Sequence, residues 1–396
     1  MIFKKYLPII LSLFILTSCG AKREINELAL VMAVGIDKAK DGGVEVTVQV
    51  ARPADARGQT GAPSGNTGDP IWAASAEGKT IFEAIRNLAA FSTRRVFWAH
   101  NFAIVISEDL AKEGIQDVLD FFTRNQELRM RTWIIVTPDK AKEVVSTLTG
   151  LEVIPGEAID KLFRYSQITA VSPKSELIDV QAAFLSESSE PVIARVKLVD
   201  RGVSNKKPGQ QGAYQQIQLS GAGVFKGEKL VGTLSSEETK GLLPFIEKVE
   251  SGVVVLKCPR DESKSITLET KHEKFDVIPG YKKNKPSFLI KMKLDTDVVE
   301  ASCPFTIDNN QEVKELEKEL EKSVKENIET VVKKAQKEYQ SDFLELGKVF
   351  NNKYPSEWKK MKNTWPQQFA DAKVKVKVDA DIRSAVLLYN PTKSGK

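Results

Sequence analysis

Few residues in this chain are of types that do covalent or proton-transfer chemistry, and one of them is placed by its neighbours. Cys19 closes the run Leu16-Thr17-Ser18-Cys19, where small residues admit a peptidase and the thiol would stand first after cleavage, open to a diacylglyceryl group in thioether linkage. Lys4 and Lys5 form a positive n-region, and Tyr6 to Thr17 is mostly apolar but well short of the ~20 residues of a spanning helix. The pattern predicts a bacterial lipoprotein signal over residues 1–18, with S-diacylglycerol attachment and N-acylation at Cys19 and membrane lipid as its partner. Two acyl chains exceed the single chain that binds membranes only marginally, so the mature chain is expected to stay on the outer face of a membrane.

The other chemical candidates are sparse. Glu77-Gly78-Lys79-Thr80 resembles the end of a phosphate-binding loop, but Ala73 stands where the first glycine of the cradle belongs. Gly221-Ala222-Gly223 lacks the third glycine of a dinucleotide fingerprint and lies in a strand pattern, which predicts a bulge or close packing. His100 has no nucleophile near it in sequence, and His272 falls on an exposed strand. Cys258 and Cys303 can pair outside a membrane or remain two buried thiols. With 3 Cys and 2 His in 396 residues, disulfide-rich scaffolds and Cys/His metal modules are excluded, and no catalytic, cofactor-binding or metal-ligating residue is expected. A formal charge of +5, which falls when Lys4 and Lys5 leave with the signal, is too weak over this length to predict nucleic-acid binding.

Two arginine-rich stretches, Arg94-Arg95 and Arg124 to Arg131, the second interleaved with amides and a carboxylate, suit ion-paired packing or an anionic partner surface. Trp358, Trp365 and Phe369 recur at spacings that place them on one face of a short helix restarted at Pro366, as core or as a partner-facing anchor. Arg94, Arg95, Arg129, Arg131, Trp358 and Trp365 are therefore the candidates for a partner surface.

The elements that would hold these groups follow from periodicity. Glu27 to Asp37 and Gly43 to Arg52 predict a hairpin across Lys40-Asp41-Gly42-Gly43. The Gly- and Pro-rich 53–70 predicts a flexible loop. Thr80 can cap a helix whose stripe is Phe82, Ile85, Leu88 and Ala89. An α/β passage follows: strands at Phe102 to Ile106 and Thr132 to Thr137, and helices at Glu108 to Phe122, Asp139 to Leu148 and Ser175 to Leu185. Asp200 to Gln215 is a composition break and the expected domain boundary. Beyond it, Ile217 to Phe225 and Lys229 to Leu234 read as a hairpin, and Ser236 as a helix cap. Phe288 to Val298 alternates as an antiparallel strand, and Gln311 to Gln340 is a charged helix with one apolar stripe. That stripe suits a coiled-coil seam or a cover for the domain's own sheet; the second is expected, and with it a soluble part that is monomeric. Lys373 to Arg383 alternates as an edge strand. The fold class is α+β, mixed and antiparallel sheets covered by helices, with an N-terminal domain 19–199, a linker 200–216 and a C-terminal domain 217–386.

Several of these stretches also carry a family likeness. Arg23-Glu24-Ile25-Asn26-Glu27-Leu28-Ala29 ending in Gly35-Ile36-Asp37 after a lipobox resembles the Ger(x)C-type spore germination lipoproteins, the C subunits of germinant receptors. The resemblance continues in order through Gly78-Lys79-Thr80-Ile81, His100, Gly114-Ile115, Glu127-x-Arg129, Gly221-x-Gly223-x-Phe225, Asp342-Phe343-Leu344-Glu345-Leu346-Gly347 and Pro355-x-x-Trp358. Gly20 departs from the Trp many relatives carry after the lipidated Cys, and Ser384-Ala385 from a Gly of the last strand. The resemblance implies a non-enzymatic, multidomain lipoprotein on the inner spore membrane that acts with integral A- and B-type subunits to transduce nutrient germinants. Readings from other classes are a lipoprotein solute receptor feeding a transporter and a wall-directed hydrolase.

Overall fold

β1 (Leu28–Lys38) is an almost unbroken apolar run because both of its faces are covered. It pairs antiparallel with β2 (Val44–Ala51) across a turn in which Gly42 and Gly43 take φ of 88° and 81°. The computed structural model describes residues 27–52, 71–147, 149, 152, 154–203, 213–303, 305 and 309–384. Cys19, the signal segment and the loop expected over 53–70 lie outside them.

β3 (Ile71–Gly78) adds outside β2, and α1 (Ile81–Ala89) turns back over the sheet. Short β4 (Arg95–Phe97) and then β5 (Ala103–Ser107) both run parallel to β1. The single helix expected from Glu108 to Phe122 is two, α2 (Glu108–Glu113) and α3 (Gln116–Thr123), because Gly114 between them has φ of 142°. β6 (Trp133–Thr137), α4 (Ala141–Ser146), α5 (Pro155–Arg164), α6 (Ser166–Thr169) and α7 (Leu177–Phe184) follow, then β7 (Val192–Val203), β8 (Ala213–Lys226) and β9 (Lys229–Leu234). Among the described residues these strands form one nine-stranded sheet in the order β3-β2-β1-β5-β6-β7-β8-β9, with β4 on β1. Val34, Ile36, Ile81, Leu88, Val118 and Phe122 make a core on one face; Ala33, Val105, Ile135, Val144, Ile159 and Phe163 make one on the other.

The Gly35-Ile36-Asp37 motif has a physical account here. A Cβ at Gly35 would come within 2.8 Å of the Ala141 carbonyl carbon, so only glycine lets α4 approach β1 this closely. Asp37 is fully buried and accepts the N–H groups of Ala141 and Lys142, each at 2.9 Å, capping the start of α4 from a neighbouring strand.

The two ends of the stretch expected as a linker, 200–216, are paired strands: β7 and β8 pair antiparallel, with Asp200 opposite Gln215 and Val203 opposite Ala213. Residues 200–203 and 213–216 of the composition break thus belong to one sheet, and residues 204–212 lie outside the described set.

α8 (Ser236–Ile246) is capped by Ser235, one residue before the expected Ser236, in a reciprocal box with Glu238. A four-stranded sheet follows, β10 (Gly252–Cys258), β11 (Asp261–Lys282), β12 (Lys285–Ala301) and β13 (Lys373–Ser384), in that order. β12 is antiparallel to β11, as its alternation predicts, but parallel to β13. The crossover between them contains α9 (Asn310–Lys333), a π-helical turn (Lys334–Glu338), α10 (Leu346–Lys353), α11 (Pro355–Met361) and α12 (Trp365–Asp371). Leu316, Leu320, Ile328 and Val331 of α9 are buried with Ile290, Leu294, Val376 and Ile382 of this sheet. The apolar stripe thus covers its own sheet. Ala222, Val224 and Leu234 of the first sheet belong to the same core, so the two halves share packing across the seam.

Candidate functional site

The motif Gly78-Lys79-Thr80 is a helix cap. The Thr80 hydroxyl accepts the Glu83 N–H at 3.2 Å, and the Glu83 carboxylate accepts the Lys79 N–H at 2.7 Å. A Cβ on Gly78 would meet the Ala84 nitrogen at 2.4 Å, so its glycine serves the approach of α1 and leaves no phosphate cradle. The buried stripe of α1 is Ile81, Ala84 and Leu88, one step from the stripe expected, and Phe82 is left 55% exposed.

That shift shapes a surface. Between α1 and α3 runs an open groove of about 1020 Å³, with Val96, Trp98, Leu110 and Val118 along its floor. Trp98 is buried edge-on against Phe122, 5.6 Å between ring centroids, which fixes the floor to the sheet. Lys79, Arg86, Arg94, Arg95 and Arg124 line the groove with Asp117, Asp120 and Glu127. Arg95 pairs with Glu127 at 3.0 Å and Arg124 with Asp120 at 2.7 Å, all partly solvated, whereas the Arg86 guanidinium lies 4.8 Å from the centre of the Phe82 ring. Arg94 is exposed, and among the described residues neither its guanidinium nor the Lys79 ammonium is in an ion pair with a carboxylate. The structure thus gathers Arg94 and Arg95 into one rim and leaves exposed Arg129 and Arg131 outside it; Arg131 lies 4.0 Å from Glu176. Arg124, the first residue of the second arginine stretch, also reaches the groove, whereas Lys79, Phe82 and Arg86 were not read from sequence as part of a partner surface. A helical wheel of 81–89 that set Phe82 and Arg86 opposite Leu88 would have found two of them.

The tryptophans correct the expectation of a partner surface. Trp358 and Trp365 are each 4% exposed and pack at 5.0 Å, within a cluster that includes Phe350 and Phe369. The helical restart at Pro366 points them inward because α10, α11 and α12 wrap around Phe350. At the seam beside them, fully buried Asp342 accepts three bonds: Leu346 N–H at 3.0 Å, Gly347 N–H at 2.6 Å and the Trp365 indole N–H at 2.9 Å. Burial pushes its carboxyl up to about 7 against these donors, with Glu190 nearby adding to the rise. The Asp342 carbonyl accepts Glu190 N–H at 3.1 Å, and the Ser341 hydroxyl donates to the Phe225 carbonyl at 2.5 Å, so the hub ties both sheets together.

Cys258 and Cys303 form a buried disulfide that joins the end of β10 to the segment after β12. Gly221, with φ of 103°, sits where a Cβ would fall 2.0 Å from the Leu234 carbonyl oxygen, the close approach its strand context predicts. His100 and His272 are both exposed. Among the described residues no group of three His, Cys, Asp or Glu is placed to hold a metal ion, and no helix is long and apolar enough to cross a membrane.

Comparison with known families covers nearly all of this architecture. Residues 21–198 match the spore germination protein N-terminal domain, and residues 220–385 match the spore germination B3/GerAC-like C-terminal domain. The chain belongs to this spore germination family. Among its relatives, spore germination protein KC of Bacillus subtilis (strain 168) is 28% identical over 394 residues, spanning 97% of this chain and 96% of that protein. Spore germination protein B3 of the same organism is 24% identical over 385 residues, 96% of each chain. The crystal structure of the GerBC protein covers 88% of this chain and 96% of its own, with a TM-score of 0.54 at 23% identity, and so shares the fold. For this germination family member, the Ger(x)C resemblance and the α+β class both stand.

Proposed function

We propose that the chain is a lipid-anchored subunit of a nutrient germinant receptor in the inner spore membrane. It is held on the outer face by acylated Cys19 and acts through contacts with integral A- and B-type subunits. The observation that carries this reading is the match of both halves to the spore germination domains, in register with full-length relatives. The lipobox supplies the anchor, which turns weak contacts with integral partners into effectively intramolecular ones. The work is assigned to surfaces and not to catalysis, because the polar motifs that suggested chemistry are spent on capping and packing. Deleting the gene and scoring spore germination nutrient by nutrient tests the reading. Loss of the response to one nutrient class is expected, and unaltered germination to every nutrient would overturn it. For the anchor, Cys19→Ala should leave the membrane fraction under high-salt washing in the absence of partners.

A further inference from the structure

The groove between α1 and α3 divides its chemistry between floor and rim. Its floor is aliphatic and aromatic, without the converging buried polar atoms by which a small nutrient is oriented. After the Arg95–Glu127 and Arg124–Asp120 pairs are set aside, Asp117 is the one carboxylate left among the lining residues beside Lys79, Arg86 and Arg94, with Glu83 bonded to the Lys79 backbone at the helix cap. The rim is therefore cationic. Phe82 stands exposed at the lip, giving a ring against which an apolar ridge can rest.

We propose that this groove receives an acidic amphipathic helix displayed by an integral membrane partner close to the bilayer. The identity of the partner rests on the anchored-subunit reading; the chemistry of the groove stands without it. The helices α1 and α3, of 9 and 8 residues, give walls of roughly 12 Å at 1.5 Å per residue, matched to two or three turns of a ligand helix. Apolar anchors at i, i+3 and i+7 would enter the floor while carboxylates meet Lys79, Arg86 and Arg94. A recess accepts such a ridge, whereas a planar bilayer surface would bridge it. Position agrees as well. Arg95 pairs in register with Leu28 of β1, and the stretch from Cys19 to Leu28 reaches at most about 30 Å when fully extended. The Arg94 end of the groove therefore lies near the membrane surface when Cys19 is acylated.

The test uses the mature, acylated chain in phosphatidylcholine nanodiscs. The probe is a fluorescein-labelled peptide of about four helical turns with Leu at i, i+3 and i+7 and Glu elsewhere, beside a counterpart with every Glu replaced by Lys. The acidic peptide should bind in the tens of micromolar, as befits a small interface, and the basic one about tenfold more weakly or worse. Phe82→Asp and Arg94→Glu, both at exposed positions, should each weaken the acidic peptide about tenfold, while Lys375→Glu on the outer face of the second sheet should not. Equal affinity for the two peptides, or full affinity in Phe82→Asp and Arg94→Glu, would overturn the proposal. So would loss of binding to phosphatidylglycerol vesicles in these variants with peptide binding intact, which would make the groove a lipid contact. In spores, normal germination of the Phe82→Asp, Arg94→Glu double variant beside failure of the gene deletion would overturn the groove alone. Normal germination of the deletion would overturn the receptor reading, to which the peptide titration is blind.

Discussion

The indole N–H of Trp365 donates to the carboxylate of Asp342 at 2.9 Å, and through this bond the last helix before β13 is tied to the seam between the two sheets. Because Asp342 also holds the N–H groups of Leu346 and Gly347, its removal orphans three buried donors at once.

Asp342→Ala should therefore cost about 3 kcal/mol or more, since each buried donor left without a partner costs ~1–3 kcal/mol. Urea denaturation followed by far- and near-UV circular dichroism measures it. An unchanged midpoint with the tryptophan signal intact would show that the hub is dispensable.

The disulfide between Cys258 and Cys303 spans 45 residues, a loop whose closure in the unfolded chain corresponds to ~4 kcal/mol in the chain-entropy description. Cys258→Ala with Cys303→Ala should lower stability by that amount, and dithiothreitol should do the same to the wild type while leaving the double variant unaffected. Two free thiols titrated in the unreduced, unfolded protein would contradict the bond.

β13 is an edge strand, yet two of its outward N–H groups are occupied. Ala380 N–H donates to the Glu321 carboxylate at 3.2 Å, and Ile382 N–H to that of Glu317 at 3.1 Å, one helical turn apart on α9. Glu317→Ala with Glu321→Ala should reopen this edge, lowering stability by about 1–2 kcal/mol and raising the aggregation rate near the unfolding midpoint. Static light scattering during thermal ramps would show it, and a scattering onset identical to the wild type would argue that the edge is protected otherwise.

Glu273 lines a small cavity with Thr270, Met292 and Ile328, and burial pushes its carboxyl up to about 7. The raised value means that the folded chain binds a proton the unfolded chain has released. Stability is therefore full below the ordinary carboxylate range and is lost as pH rises through about 7. Glu273→Gln should remove this share of the slope. Between about pH 4 and pH 8 the wild type should lose ~2–3 kcal/mol relative to the variant. Burial also raises Glu247 and Asp342 to about 7, so the wild-type-minus-variant difference, not the raw profile, is the quantity to measure. Parallel pH profiles would remove Glu273 from the account.

What could be read from sequence was mostly local. The hairpin at Gly42-Gly43, the Thr80 cap and the covered stripe of α9 each rest on residues within a few turns of one another. The Asp37 cap escaped because its helix starts 104 residues later, and the groove escaped because its rim is assembled from α1, the segment around β4 and α3. Trp358 and Trp365 had the spacing of a surface anchor and of a core alike, and only the wrap of three short helices around Phe350 separates the two. Cys19, the residue with the clearest sequence meaning, lies beyond the described part of the chain.

β8 carries Ile217 and Leu219 into one core, Phe225 into a second, and Ala222 and Val224 into the core beneath α9. The interval between the two matched family domains, 199–219, therefore begins within β7 and ends within β8, two strands that complete each other. Inheritance should respect that. A crossover there between diverged relatives would join a β7 of one lineage to a β8 of another, with side chains that must suit three interiors simultaneously. The halves of this molecule are thus expected to have travelled together through descent, and chimaeras exchanged at this point should recover only when β7 moves with β8.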